Sequence, residues 1–424
     1  MTRFDRVEPR LSELLTDLAA PSMPDYTDDV LARTAGLRQR PRWTLPERWL
    51  PMGVLAQRSV YIPRVPWRAV IVAALLLVAL AATLAWFGSQ RRAAPPFGLA
   101  RNGVIMYAVD GDLVTWNPDT ETTTTILSGP TDDITGMFSR DGTKLAFLRR
   151  ERPPNPPEPE LLSIQVANAD GSNPVDLTGP IVAPDQWDWS PAGDLIAVQS
   201  LIGERRTLQV VRTDGIERPR VLDTGTDVTF VSWMPPNGDE IVFRGVAETA
   251  DGLRSGIYAI APDGGEPRAL TPTDGHPDDS YQGPTPSPDG RHLLYQSWDR
   301  VAERMSLRVL DLSTGVDEAV ASTGARFGEG HGMYSPDGKL IAYRGFGENE
   351  TFQLFVVPAD GSAEPRALTG FTPGGAWHEF SPDGTKVMVN RFGTGTLLID
   401  VATGEAVALP DTVTEPGTWQ RLAP

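Results

Sequence analysis

One short phrase recurs six times between Phe138 and Lys386: a bulky residue, a Ser-Pro-Asp-Gly-like turn, then an apolar alternating run. The copies are Phe138-Ser139-Arg140-Asp141-Gly142, Trp189-Ser190-Pro191-Ala192-Gly193, Trp233-Met234-Pro235-Pro236-Asn237-Gly238, Pro286-Ser287-Pro288-Asp289-Gly290, Tyr334-Ser335-Pro336-Asp337-Gly338 and Phe380-Ser381-Pro382-Asp383-Gly384. Their glycines are 51, 45, 52, 48 and 46 residues apart. A period of roughly 40–50 residues marks a propeller or a solenoid, whose units bury their apolar faces only against one another. Proline presets φ, Asp or Asn bonds to its own backbone, and Gly takes the positive φ of a tight hairpin. The phrase is therefore turn chemistry, and its serines and aspartates are not catalytic candidates.

Each turn is followed by a period-2 run, from Lys144 to Leu148, Asp194 to Val198, Glu240 to Phe243, His292 to Tyr295, Lys339 to Tyr343 and Lys386 to Val389. A second run follows, such as Ile257 to Ile260 or Gln353 to Val357, and then a short one that often ends in Leu-Thr. With the strand before the turn, each unit has four short antiparallel strands, the size of a propeller blade. The fold class is all-β. Val104 to Val109, Asp112 to Trp116 and Thr122 to Leu127 form three strands of a blade without a first strand, and Thr418 to Leu422 is a first strand without a blade. Joining these pieces closes the ring and removes its open edges. Seven blades are expected, with six blades and loosely packed ends as the alternative.

The Ser-Pro-Asp-Gly phrase, its alternating strand and the following Ala-Asp-Gly or Asp-Gly-Gly hairpin resemble the TolB-like β-propeller repeat, over about residues 100–424. The resemblance implies a propeller of the kind that serves as an extracytoplasmic interaction module, or as the gating domain of prolyl oligopeptidase-type enzymes. The α/β domain that precedes the TolB propeller is missing, so TolB's own partners are not implied.

Upstream, Ala69 to Gln90 is a run of 22 residues without a charge, flanked by Trp67 and by Trp86-Phe87. That length suffices to cross a hydrocarbon layer of ~30 Å as a helix, with aromatics at its interfaces. Eight arginines and one acid lie between Arg33 and Arg68, against Arg91, Arg92 and Arg101 beyond the run. The positive-inside bias puts the N-terminus in the cytoplasm of a bacterial cell and the propeller outside. The expected layout is an Arg-rich helical or disordered cytoplasmic segment at 1–66, a single transmembrane helix at 67–90, a stiff linker at 91–102 and an extracytoplasmic propeller at 103–424. Leu11, Leu14, Leu15 and Leu18 make one apolar helical stripe in the first segment. Segment, span and ectodomain together resemble the layout of membrane-bound anti-sigma factors, which implies a cytoplasmic protein partner for 1–66. The zinc-binding His/Cys pattern of many such factors is absent.

Residues 1–68 carry 11 arginines and 8 acids, Arg91 and Arg92 add two, and residues 93–424 hold 25 basic and 47 acidic residues, a net −22. So acidic a surface excludes nucleic acid as a partner. The chain has no cysteine, which excludes disulfides, thiolate metal sites and a Cys nucleophile. No Gly-X-Ser-X-Gly elbow occurs, and no hydrolase domain is expected after the propeller. Asp-rich stretches such as Asp110-Gly111-Asp112 lack the spacing of a calcium loop.

Four histidines remain: His276, His292, His331 and His378. His292 falls on a second strand and reads as structural. His331 and His378 each precede a turn phrase, which puts them on innermost strands of adjacent blades, with Gln282 at the equivalent place one blade earlier. With Glu329 and Glu379 they form the candidate ligand site in the channel. Trp187, Trp189, Trp233, Trp377 and Trp419 recur on first strands and are expected to fill the wedge between blades. No catalytic residue, cofactor or metal is assigned. The expected function is non-enzymatic binding of a protein, peptide or glycan at the propeller face, with the cytoplasmic segment as a relay. The alternative is an extracellular lyase or hydrolase with a His-containing channel site.

Overall fold

The computed structural model describes residues 93–151, 161–250, 252–271, 282–299, 304–321, 330–346, 352–369, 377–391, 395–410, 413 and 417–424, with 32, 71–72 and 74–77 in the N-terminal part. Two compact units divide the chain, Met1–Ser89 and Gln90–Pro424. In the first, 71–72 and 74–77 are helical, and Leu75, Leu76 and Leu77 are exposed. Most of the expected span at 67–90, and all but residue 32 of the segment at 1–66, lie outside the described residues. Among the described residues, no helix is long and apolar enough to cross a membrane.

The second unit is a seven-bladed β-propeller. Blade I consists of β4 (Asp132–Phe138), β5 (Lys144–Glu151), β6 (Leu161–Asn168) and β7 (Val175–Asp176). Blade II consists of β8 (Ile181–Trp189), β9 (Leu195–Ile202), β10 (Arg205–Arg212) and β11 (Arg220–Leu222). Blade III has β12 (Asp227–Trp233), β13 (Ile241–Thr249), β14 (Gly252–Ile260) and β15 (Arg268–Ala269). Blade IV has β16 (Gln282–Pro286), β17 (His292–Asp299), β18 (Arg304–Asp311) and β19 (Asp317–Ala321). Blade V has β20 (Gly330–Tyr334), β21 (Leu340–Phe346), β22 (Phe352–Pro358) and β23 (Arg366–Ala367). Blade VI has β24 (Trp377–Phe380), β25 (Lys386–Arg391), β26 (Gly395–Asp400) and β27 (Ala406–Ala408). All pairings are antiparallel, and a short bridge of Leu161 and Leu162 to Val182 and Ile181 ties blades I and II.

Blade VII is the composite one. Its order is β28 (Thr418–Leu422), β1 (Arg101–Val109), β2 (Asp112–Asn117) and β3 (Thr122–Leu127), so the C-terminal strand supplies the innermost strand to the three N-terminal ones. The register pairs Ile105 with Trp419 and Asn102 with Arg421. Packing completes the closure. Ile105, Tyr107 and Trp419 share a core with Met388 and Leu398 of blade VI, while Met106 and Leu113 share one with Phe138 and Phe147 of blade I. The seven-bladed expectation holds, and the six-bladed alternative falls.

The turn phrase works as expected, with one addition. Its glycines all have positive φ, for example 71° at Gly142 and 72° at Gly384. The serine is a second organiser: Ser139 Oγ donates to Asp141 Oδ1 at 2.6 Å and accepts the Lys144 N–H at 2.9 Å. Ser287, Ser335 and Ser381 repeat the pattern. The bulky residue before it is buried except at Tyr334, which is half-buried, and two indoles reach back one blade: Trp189 Nε1 donates to the Met137 carbonyl and Trp233 Nε1 to that of Asp188. Trp377 packs against the core between blades VI and VII but is only half-buried, and it also lines the channel.

The linker is not a free spacer. The Ala94 N–H donates to the Asp141 carbonyl and the Ala100 N–H to that of Pro382. Arg421 donates to the carbonyls of Pro95 and Gly98, and the Arg140 guanidinium stacks 5.0 Å from the Phe97 ring centre. Residues 93–100 are thereby strapped across the turn-side end of the channel, and β1 begins at Arg101.

Candidate functional site

A strand's side chains alternate between its two faces, so each first strand sends every second residue toward the central channel. In β24, Trp377 and Glu379 are partly exposed, while His378 and Phe380 are buried. Counted back from the bulky residue, one channel-facing ring is formed by the third residue and a second by the first. Gln186, Phe230, Gly283, His331 and Trp377 belong to the third-residue ring and line one cavity of about 460 Å³. Ser232, Thr285, Met333 and Glu379 belong to the other and line a cavity of about 240 Å³ at the turn side, under Pro96, Phe97 and Gly98. The channel thus has a roofed end and, among the described residues, an end without such a strap.

The first strands bend where they pass the larger cavity. Register shifts interrupt the ladder between Thr229 and Val231, between Gln282 and Thr285, and between Gly330 and Met333. The extra residue takes positive φ in each: 53° at Phe230, 59° at Gly283 and 50° at His331. Such bulges re-aim a side chain. Here they turn Phe230 and His331 into the cavity.

The three sequence-predicted residues whose side chains are described, His331, His378 and Glu379, do not assemble into one site. His331 is exposed on the cavity wall. His378 borders the same cavity but is buried, with Nε2 3.3 Å from the Ala342 carbonyl of blade V. A carbonyl only accepts, so Nε2 carries the proton and Nδ1 presents a lone pair. That Nδ1 is buried and has no partner among the described residues. Burial, with some repulsion from Arg344, holds the His378 pKa down to about 4, so the ring is neutral. Glu379 sits at the opposite end of the channel, where one oxygen accepts the Trp419 N–H at 3.4 Å. It lines the small cavity under residues 96–98, where desolvation pushes its pKa up to about 8 against the smaller lowering effects of the Trp419 N–H and the Arg421 charge. Gln282 pairs its backbone with Gln296 in β17, its side chain lying outside the described residues, as Glu329 does entirely. Strand alternation and the length of the channel therefore separate the acid from the histidines, and no acid/base pair of the kind a lyase needs forms among the described candidates.

One residue was missed by sequence reasoning. Arg344 of β21 lines the larger cavity, its Nε is buried without a partner, and burial lowers its pKa. The signal lay in the repeat alignment. The sixth residue after each turn glycine is polar in five units: Gln199, Arg244, Gln296, Arg344 and Asn390. A polar residue inside an otherwise apolar strand needs a partner. Arg149 of β5 has one in Asp133, at 2.8 and 3.0 Å, and Arg244 reaches the Thr229 hydroxyl at 3.4 Å. Among the described residues, Arg344 has none. No group of three or more His, Cys, Asp or Glu suited to a metal occurs among the described residues.

Known structures share this architecture. The propeller domain of the Trilobed protease from Pyrococcus furiosus, which has an open velcro topology, is 15% identical over 72% of this chain and 88% of that chain, with a TM-score of 0.52. A candidate 6-phosphogluconolactonase from Bacteroides uniformis is 16% identical over 75% of this chain and 100% of that chain, with a TM-score of 0.50. TolB from Acinetobacter baumannii is 19% identical over 74% of this chain and 81% of that chain, with a TM-score of 0.48. No protein-family model matches the sequence, and no curated protein matches it. At such identities the likeness shows the β-propeller fold alone.

Proposed function

We propose that this chain is a non-catalytic binding module in which the end of the propeller channel opposite residues 93–100 receives a ligand. The observation that carries the reading is the cavity of about 460 Å³, built from first strands of five successive blades, while residues 93–100 cover the other end. Pockets of ~300–1,000 Å³ hold small molecules or a few residues of a polymer. In the full reading, residues 67–90 anchor the propeller outside a bacterial cytoplasmic membrane as a single pass with the N-terminus inside. Ligand binding is then relayed through 1–66 to a cytoplasmic protein, as the anti-sigma-like layout suggests. The hydrophobic run and the arginine asymmetry support the anchor, and the apolar stripe at Leu11 to Leu18 supports the relay.

Purified full-length chain, incubated with a panel of peptides and glycans, tests the reading by equilibrium binding and by mass spectrometry of the recovered ligands. Binding with every ligand recovered intact is expected. Turnover of a bound ligand overturns the non-catalytic reading.

A further inference from the structure

The charge of the larger cavity runs against that of the rest of the propeller. Residues 93–424 carry a net −22, yet the described lining of this cavity holds one arginine, two histidines and no carboxylate. Arg344 sits in that wall with its Nε buried and unbonded. Arg344 is half-buried, and a guanidinium whose Nε is buried without a counterion costs stability unless something else satisfies it. Its planar fork matches a carboxylate, which it binds through two parallel hydrogen bonds. Arg149, in the second strand of blade I, shows this pairing inside the same ring, with Asp133 as the carboxylate.

His378 adds a different demand. Its Nε2–H is committed to the Ala342 carbonyl, so the buried and unpartnered Nδ1 accepts a hydrogen bond and donates none. A bare carboxylate would face that lone pair with its own. A hydroxyl satisfies it. Gln186, Gln296 and Thr285 on the same wall can serve further hydroxyls, and Phe230 and Trp377 offer flat apolar faces.

Resting on the binding reading above, we infer that the cavity recognises a small hydroxy acid with a compact ring, its carboxylate on Arg344 and a hydroxyl on His378 Nδ1. A sugar acid has this combination, with a ring face for Trp377.

Three probes separate the contributions: glucuronate has carboxylate, hydroxyls and ring; glucose lacks the carboxylate; cyclohexanecarboxylate lacks the hydroxyls. Each is titrated into the full-length chain by calorimetry at matched ionic strength. Glucuronate is expected to bind at least ~10-fold more tightly than either of the others, the scale of one charge-assisted contact. Arg344→Gln is expected to remove the preference for glucuronate over glucose. This variant introduces the residue that Gln199 and Gln296 already provide at the same repeat position, so it is expected to melt no lower than the parent. Arg344→Lys, which keeps the charge and loses the fork, is expected to retain part of the preference. Equal binding of glucuronate and glucose, an unchanged preference in R344Q, or no binding of any probe overturns the inference. None of these outcomes touches the binding reading, which fails instead on turnover of a bound ligand.

Discussion

At the residue scale, the same glycine does different jobs in different blades. Gly142 and Gly193 share a φ of 71°, a conformation that the turn phrase already announces. Around Gly193 a Cβ would meet open space, whereas at Gly142 it would land on the carbonyl oxygen of Arg421 in the closing strand. Gly193→Ala is expected to cost about 1–2 kcal/mol, the left-handed penalty alone. Gly142→Ala is expected to cost clearly more, because the ring closure itself must shift. Chemical denaturation of the two variants side by side measures the difference, and equal losses would refute the role given to the close approach. The conformation was legible in the Asp-Gly pattern. The approach was not, since it joins residues 279 positions apart.

At the element scale, β28 is the strand on which the ring depends. It pairs with β1 and carries Trp419, buried against Ile105 and Met388. Deleting residues 418–424 leaves β1 with an unpaired edge facing the channel and removes that tryptophan from the core. Loss of a buried tryptophan alone is worth ~3–5 kcal/mol, and an open edge invites pairing between chains. The truncated chain is expected to melt lower and to associate, as read by calorimetry and light scattering. An unchanged melting point in a monodisperse sample would show that the closure is dispensable. The split blade was legible in the sequence because its two pieces each lack what the other has. The strap at 93–100 was not, because Ala93-Ala94-Pro95-Pro96 looks like any stiff linker until Arg421 and Phe97 meet it.

At the scale of the whole molecule, the two ends of the channel respond oppositely to pH. Folded Glu379 has a pKa of about 8 against an ordinary 4.5, so between those values the native state holds the extra proton. Its contribution is complete below pH 4.5 and is lost as the pH rises through 8. His378 runs the other way. With a pKa of about 4 against 6.5, the unfolded state holds the extra proton, and stability is lost as the pH falls from 6.5 toward 4. Glu379→Gln is expected to remove only the decline between pH 4.5 and 8. The stability difference, wild type minus E379Q, should therefore decline steadily between pH 4.5 and 8. A flat difference in paired denaturant melts would mean that Glu379 is solvated and not enclosed by the strap.

The choice of seven blades over six came from the structure, but the sequence by itself determined the blade, its repetition and the expected way the ring shuts. These rest on local turn chemistry and on a two-residue strand period, repeated often enough to be counted. It also brought attention to the first strands as channel walls. Only the tertiary structure decided which side chains share a cavity there. Neighbouring first strands lie about 50 residues apart, and a one-residue offset on a strand moves a side chain from channel to core. His331 and His378 differ by that single step relative to their turns, so one is exposed on the wall and the other is buried behind it. Arg344 looked like an ordinary polar residue on a strand. Its significance came from the ring, which brings it into a wall with no described carboxylate to pair it.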